Sequence, residues 1–513
     1  MFTFILRRFV TSALVVLAST FVMYVLTDIA IDPLNDLRTS TAPNKEQLIE
    51  GRIAQLQLDE PVVVRYVDWL AGASKCLVGD CDLGTAWRSG QPVTELLGGA
   101  IATTIQLVTA STILAILLGV AVGIVSALRQ YSGYDYSVTF MSFLLYSLPV
   151  FWVAVLLKQY GAIEFNTFLN DPDIALTTML VLSLLSGLTW AGMAGGEAAR
   201  KLKVLAASFF VTLAVLVYID VTGWLTDPGI GIVGMALSGV GIAFLATHLS
   251  TGLRNKRARN AALTTVGVGV ALYYPLQYFY YYVGASWLIM FALLAVAVLV
   301  SVLIGWAWGG PDWKQSARTA VVAAIPMSVL LFVDRVMAVW QVYSESSLIK
   351  GRPIATIGPK TPGLSGSFWI TTLDSFTHLL LPTLALVLIS FAGYTRYSRA
   401  SMLEVMNQDY IRTARAKGLT ERTVVMRHAF RNSLIPLASI VPVDIITLIG
   451  GAVITETIFN WFGMGRLFVM SLGGDEIDPI MAYLLIVGIL AVLANFVADL
   501  LYAFLDPRIR VNA

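Results

Sequence analysis

Long apolar runs separated by short polar and basic stretches dominate this chain. About 20 mainly apolar residues suffice for a helix to cross the hydrocarbon core of a bilayer, where the backbone must satisfy its own hydrogen bonds. Twelve such runs are legible, at 9–28, 101–126, 137–160, 174–195, 203–225, 229–248, 261–283, 286–308, 319–340, 378–396, 434–457 and 480–505. The pattern predicts an all-α polytopic membrane protein. Two long polar stretches interrupt it. Residues 31–99, turn-rich and of mixed charge, read as a small folded cap, and the Gly-, Pro- and Ser-rich 343–377 as an extended loop. The block 166–342 differs in texture. It is rich in Val, Ala and Leu, and its aromatic cluster of Tyr273, Tyr274, Tyr278, Phe279, Tyr280, Tyr281 and Tyr282 fits an interfacial belt.

Composition supports this reading, with 57% hydrophobic and 13% charged residues against about 25% charged in soluble domains. Charge placement then orients the spans. With both ends on one side, 22 of the 34 Lys and Arg fall on that side, and every short loop there is basic. Basic loops stay in the cytoplasm, so both termini are expected there, in a plasma (inner) membrane. The net charge of +2 is small, and no nucleic-acid partner is expected. Arg7 and Arg8 before an apolar run resemble a signal peptide. Val25-Leu26-Thr27-Asp28 offers no small-x-small cleavage site, so residues 1–30 read as a retained anchor.

The inner segment 397–433 is the most informative. Asp409 or Asn407 can cap a short helix through Ala416, Gly418 can end it in the left-handed conformation, and Thr420 can cap a second helix carrying Glu421. Arg412, Arg415, Lys417 and Arg427 supply docking charge, Ala414 and Ala416 leave room for a partner surface, and Thr413 and Leu419 complete the motif. An ordinary basic loop is the alternative.

The run Arg412-Thr413-Ala414-Arg415-Ala416-Lys417-Gly418-Leu419, with Arg427 to Pro436 after it, resembles the cytoplasmic loop of permeases in the oligopeptide/dipeptide/nickel branch of ABC importers. Leu58–Leu70, Asp82–Thr85, Ser89–Thr94, Ser147–Trp152, Glu456–Leu467 and Asp499–Arg508 match further family motifs in order. The resemblance implies a type I importer core of six spans (1–30, then 100–165, then 378–513), with about six more inserted as 166–342. It also implies partners: a second homologous permease, two ATPase subunits or one fused ATPase, and an external solute-binding protein. No cofactor is expected on this chain, with ATP and Mg held by the partners. Peptide, nickel-chelate and glycoside importers share these motifs.

Ionisable groups inside spans cost roughly 3 kcal/mol at mid-bilayer and usually face protein or water. Asp444 is therefore a candidate for the solute path, or a carboxyl neutralised by a structural partner. Glu456 opens the motif around Trp461, Phe462, Gly463 and Gly465, a turn that reads as an external gate or an interfacial anchor. Asn495 and Asp499 lie one turn apart and suit interhelical hydrogen bonding. Cys76 and Cys81 can close a small disulfide loop in an oxidising exterior, or remain free thiols. No phosphate-binding Gly-x4-Gly-Lys-Ser/Thr loop and no metal-ligand spacing is present, so no catalytic residue is expected. A twelve-span secondary transporter is the rival reading, but it would leave the basic loop without a task.

Overall fold

The computed structural model describes residues 2–41 and 43–505. It is built from helices and carries one small antiparallel ribbon, Thr85–Ala86 with Gln91–Pro92. Eight of the described helical stretches are long and apolar enough to cross a membrane, or ten when two bent pairs count as one span each. One of the eight, Trp287–Met337, is two helices. Trp287–Gly309 and Trp313–Met337 fold back on each other at Gly310, where φ is +56°.

The expected span 137–160 is broken in two. Gly133–Ser147 and Val150–Lys158 meet at 96° around Leu148 and Pro149. Proline bars the residue before it from helical backbone, and Leu148 is extended accordingly (φ −84°, ψ 129°). Pro275 interrupts the expected span 261–283 more mildly, since Leu272 and Tyr274 keep helical backbone. Its ring opposes the carbonyl four residues back, and the helix Lys256–Ala271 stops there before Tyr273–Tyr282 begins.

The loop expected at 343–377 ends early, because a helix of 39 residues, Phe368–Met406, begins ten residues before the expected span. At 1.5 Å per residue it is about 58 Å long, nearly twice the hydrocarbon thickness. Its C-terminal turns occupy the first part of the expected loop 397–433. It packs along Val93–Leu128, and the two backbones approach closely at Gly123, where a Cβ would stand 2.5 Å from the Thr395 carbonyl oxygen and 2.7 Å from the Ser398 Cβ. Small residues permit such helix contacts in a bilayer, where lipid is as apolar as the side chains.

Within the stretch read as a cap lie the helices Lys45–Leu56 and Val62–Ser74 and the ribbon, and the helix Val93–Leu128 begins before that stretch ends. Tyr66, Trp69 and Leu83 bury themselves with Tyr24, Val93, Leu467 and Met481. The ribbon is stitched to the start of the last helix, with Arg88 Nε donating to the Gly474 carbonyl (2.7 Å) and Trp87 Nε1 to that of Asp475 (3.2 Å). Cys76 and Cys81 are joined in a disulfide at the cap's exposed edge. The side chains of Arg7, Arg8 and Asp499, and the tail with Arg508 and Arg510, lie outside the described residues.

Candidate functional site: a docking loop and a carboxyl beneath an apolar turn

Two residues after Met406 the chain re-enters helix at Asp409–Ala416. The helix is amphipathic. Ile411 and Ala414, one turn apart, pack with Met402, Ala127, Val424 and Ala429, while Arg412, Thr413, Arg415, Ala416 and Lys417 face outward. Ala414 is therefore an anchor that holds the helix down, and the open face lies over Ala416. Neither Asn407 nor Asp409 caps it, since Gln408 occupies that position with extended backbone and no side-chain bond. Gly418 does adopt the left-handed conformation, at φ +74°. Thr420 caps the following turn through its hydroxyl, which accepts from the Thr423 N–H. Glu421 folds back onto Arg415 in a two-pronged pair (2.7 and 3.1 Å), and the Arg415 guanidinium holds its carboxyl below the ordinary value. Arg412, Lys417, Leu419 and Arg427 remain exposed. The outcome is a basic ridge around one exposed leucine.

Three side chains brace this loop from behind. Arg399, near the end of the long helix, donates two hydrogen bonds to Asp135 (2.7 and 2.9 Å), whose carboxyl also accepts from Ser126 Oγ (2.5 Å) and the Tyr131 N–H (3.0 Å). Ser401 Oγ donates to the Ser433 carbonyl (2.8 Å). Arg422 donates to the Leu249 carbonyl (2.8 Å), which ties the loop to the block 166–342.

At the other end of the long helix, the Glu456 carboxyl is fully buried. Its Oε1 accepts from Thr104 Oγ1 (2.6 Å) and its Oε2 from the Arg466 N–H (3.0 Å); Thr104 Oγ1 in turn accepts from the Met464 N–H (2.8 Å). The turn Trp461–Gly465 thus wraps a polar knot. Trp461 is 1% exposed and packs on Leu107, Ala154 and Leu381, inside the bundle rather than at its interfacial rim. Phe462 is the exposed member. A Cβ on Gly463 would run into the Glu456 carboxyl, and one on Gly465 into Val453, so the turn closes only with glycine at both positions. Asp444 is half-buried on Ile435–Gly451, beside the Tyr394 hydroxyl. The structure does not bring Asp444 together with Glu456.

A second polar cluster pins the loop before the long helix. Asp374 accepts from Tyr343 Oη (3.0 Å), Thr361 Oγ1 (2.6 Å) and the Thr361 N–H (2.9 Å), and His378 stands between Thr361 Oγ1 (3.1 Å) and the Gly358 carbonyl (2.7 Å). None of these residues was singled out from the sequence. Asp334, near the end of the helix Trp313–Met337, accepts from the Ile230 and Gly231 N–H groups.

The sequence profile of the binding-protein-dependent transport system inner membrane component family matches residues 204–511, more than half of the chain. The chain belongs to this family. Its match begins within the block 166–342 and runs through the loop at 409–423, the knot and the last helix. Among curated proteins, the chain is similar to the oligopeptide transport system permease protein OppB of Mycobacterium tuberculosis, 34% identical over 232 residues, which are 45% of this chain and 71% of that protein. The oligopeptide transport system permease protein AppB of Bacillus subtilis is 48% identical over 136 residues (26% of this chain, 43% of AppB). The dipeptide transport system permease protein DppB of Escherichia coli K12 is 41% identical over 148 residues (29% and 42%). The helix-glycine-helix loop and the Glu456 turn therefore both lie within the residues that the family profile matches.

Proposed function

We propose that this chain is a permease subunit of an ATP-binding-cassette importer that carries di- or oligopeptides across the plasma membrane by alternating access. The observation that carries the reading is the loop at 409–423: a short helix seated on its own apolar face, presenting Arg412, Lys417 and Leu419 outward, at the end of a helix long enough to span the membrane and continue beyond it. The names of its relatives support peptides as the solute class.

Counting the folded pair within Trp287–Met337 as two spans, each bent pair as one, and 256–282 as one gives twelve crossings. Both termini then lie in the cytoplasm with the basic ridge. The 232 residues shared with OppB fill 71% of that relative but 45% of this chain, which supports an insertion, placed here at 166–342. Around this chain we place a second, homologous permease, two ATPase domains that hold ATP and Mg, and an external binding protein that delivers the solute. Closure of the ATPases on nucleotide would move the helix Asp409–Ala416, and Arg399 and Ser401 would pass that motion to the spans. The Trp461–Gly465 turn, fixed on Glu456 and Thr104, would serve as the outer gate.

The test is co-purification of the complete complex from its own membranes. Reversing charge at Arg412 and Lys417 is expected to strip the ATPase from the permease while leaving the two permeases together. An ATPase that stays attached in full amount would remove the basis for the docking assignment.

A further inference from the structure

Beside the apolar turn lies a cavity of about 740 Å³, within the range of small-molecule sites. Its walls come from three separate segments: the turn around Asn166, the loop 348–362, and Phe462 and Arg466 of the gate. The loop is held rigidly. Asn166 exchanges two hydrogen bonds with the Ile354 backbone (2.8 and 3.0 Å), the Gly358 N–H donates to the Phe459 carbonyl (2.8 Å), and Thr361 is locked on Asp374. The cavity is therefore shaped in advance of any ligand, which lowers the cost of ordering on binding.

Its charge is one-sided. Arg352, Lys360 and Arg466 contribute to the lining, which contains no Asp or Glu among the described residues. Two carboxyls touch lining residues from behind, and both are already engaged: Asp374 by Tyr343, Thr361 and His378, and Glu456 by Thr104 and the Arg466 backbone N–H. No ion pair engages the three cationic heads among the described residues. The cavity also lies at the end of the long helix opposite the docking loop, the end with fewer basic residues. Membrane proteins place few Lys and Arg on that side. Three converging there without counter-charges form an anion-receptive site, since guanidinium and ammonium groups in a partly enclosed site bind carboxylates by charge-assisted hydrogen bonds.

We propose that this cavity receives the terminal carboxylate of a peptide solute, held by Arg466 and Lys360 with Arg352 at the rim, as the solute passes beneath Phe462. The inference rests on the peptide-import reading above and assigns the chemical group that this chain selects.

The experiment uses the complete importer, with partner subunits and binding protein, reconstituted in vesicles. Uptake of a peptide with a free C-terminus is compared with uptake of the same peptide as its C-terminal amide, in the wild type and in Lys360→Gln, Arg466→Gln and the triple variant with Arg352→Gln. The binding protein's own preference is common to all samples, so a change in the free-to-amide ratio reports on this chain. The ratio is expected to fall about tenfold or more in the triple variant, the scale of one lost charge-assisted bond, and to be retained in Lys360→Arg. Lys360 is exposed, so its single variant remains informative should the triple variant misfold. An unchanged ratio overturns the proposal. So does an equal fall for both peptides with weaker attachment of the binding protein, which would make the cavity a docking surface. Uptake of neither peptide by the wild type would overturn the peptide reading and this inference with it.

Discussion

Thr104→Val tests whether the knot beneath the apolar turn holds it shut. Valine keeps the shape of threonine but can neither donate to Glu456 Oε1 nor accept from the Met464 N–H. Each buried group left unpaired costs roughly 1–3 kcal/mol in proteins generally. Side-chain hydrogen bonds in membrane bundles average about 0.6 kcal/mol and reach about 1.7. Two bonds lost at a site where Glu456 and Met464 are fully buried therefore amount to about 2 kcal/mol. The loss falls on local opening of residues 459–466 rather than on the whole bundle, because Trp461, Glu456 and Met464 are bonded mainly to each other and to Thr104. Amide hydrogen exchange of the purified complex reads this directly. Peptides covering the Trp461, Met464 and Arg466 amides are expected to exchange about 30-fold faster in Thr104→Val, the factor that 2 kcal/mol represents. Thr104→Ser, which keeps the hydroxyl, is expected to stay near wild type. If a folded Thr104→Val complex exchanged within about threefold of wild type at these amides, the knot would not be what holds the turn.

Three further outcomes follow from the same contacts. Arg399→Ala leaves Asp135, 3% exposed in its side chain, without its ion-pair partner and is expected to cost about 3–5 kcal/mol, read as a lowered melting temperature of the complex; Asp135→Asn with Arg399→Gln should recover part of it. A double-mutant cycle on Arg415 and Glu421, both well exposed, should give a coupling below about 1 kcal/mol. Because Arg415 lowers the Glu421 carboxyl's pKa, that coupling should be present above the ordinary Glu value and vanish as pH falls through the lowered one. Gly418→Ala, at φ +74°, should cost about 1 kcal/mol and show as faster exchange across 415–421, with Gly418→Asn less affected.

What could be read from the sequence is local. Apolar runs announce the helices, the left-handed Gly418 follows from a glycine placed after a short amphipathic stretch, and Thr420 is a cap by residue type and position. The break at Pro149 is equally local, yet apolar residues continue on both sides of it, so hydropathy alone reads one straight span where the proline imposes a corner. The knot and the braces are another matter. Thr104 and Glu456 are 352 residues apart, and Asp135 and Arg399 are 264 apart. Nothing in the neighbourhood of either residue specifies its partner; Met464–Gly473 packing on Val93–Leu128 brings the first pair together, and Gly133–Ser147 packing on the long helix brings the second. Glu456 and Trp461 could be named as important, but their burial could not be foreseen, and a tryptophan near a span end reads as interfacial until the bundle closes around it. Ala414 shows the same limit, since which small residue faces inward depends on the cluster formed by Met402, Val424 and Ala429.

In the proposed mechanism, partner ATPases drive this chain through the loop at 409–423. The direct measurement is solute taken up per ATP hydrolysed by the complete importer in sealed vesicles, for wild type and for Arg412→Glu with Lys417→Glu. Uptake is expected to require hydrolysis in the wild type, and the ratio in the variant to fall at least tenfold with the two permeases still folded together. Uptake that proceeds without nucleotide, or an unchanged ratio in the charge-reversed variant, would contradict that mechanism.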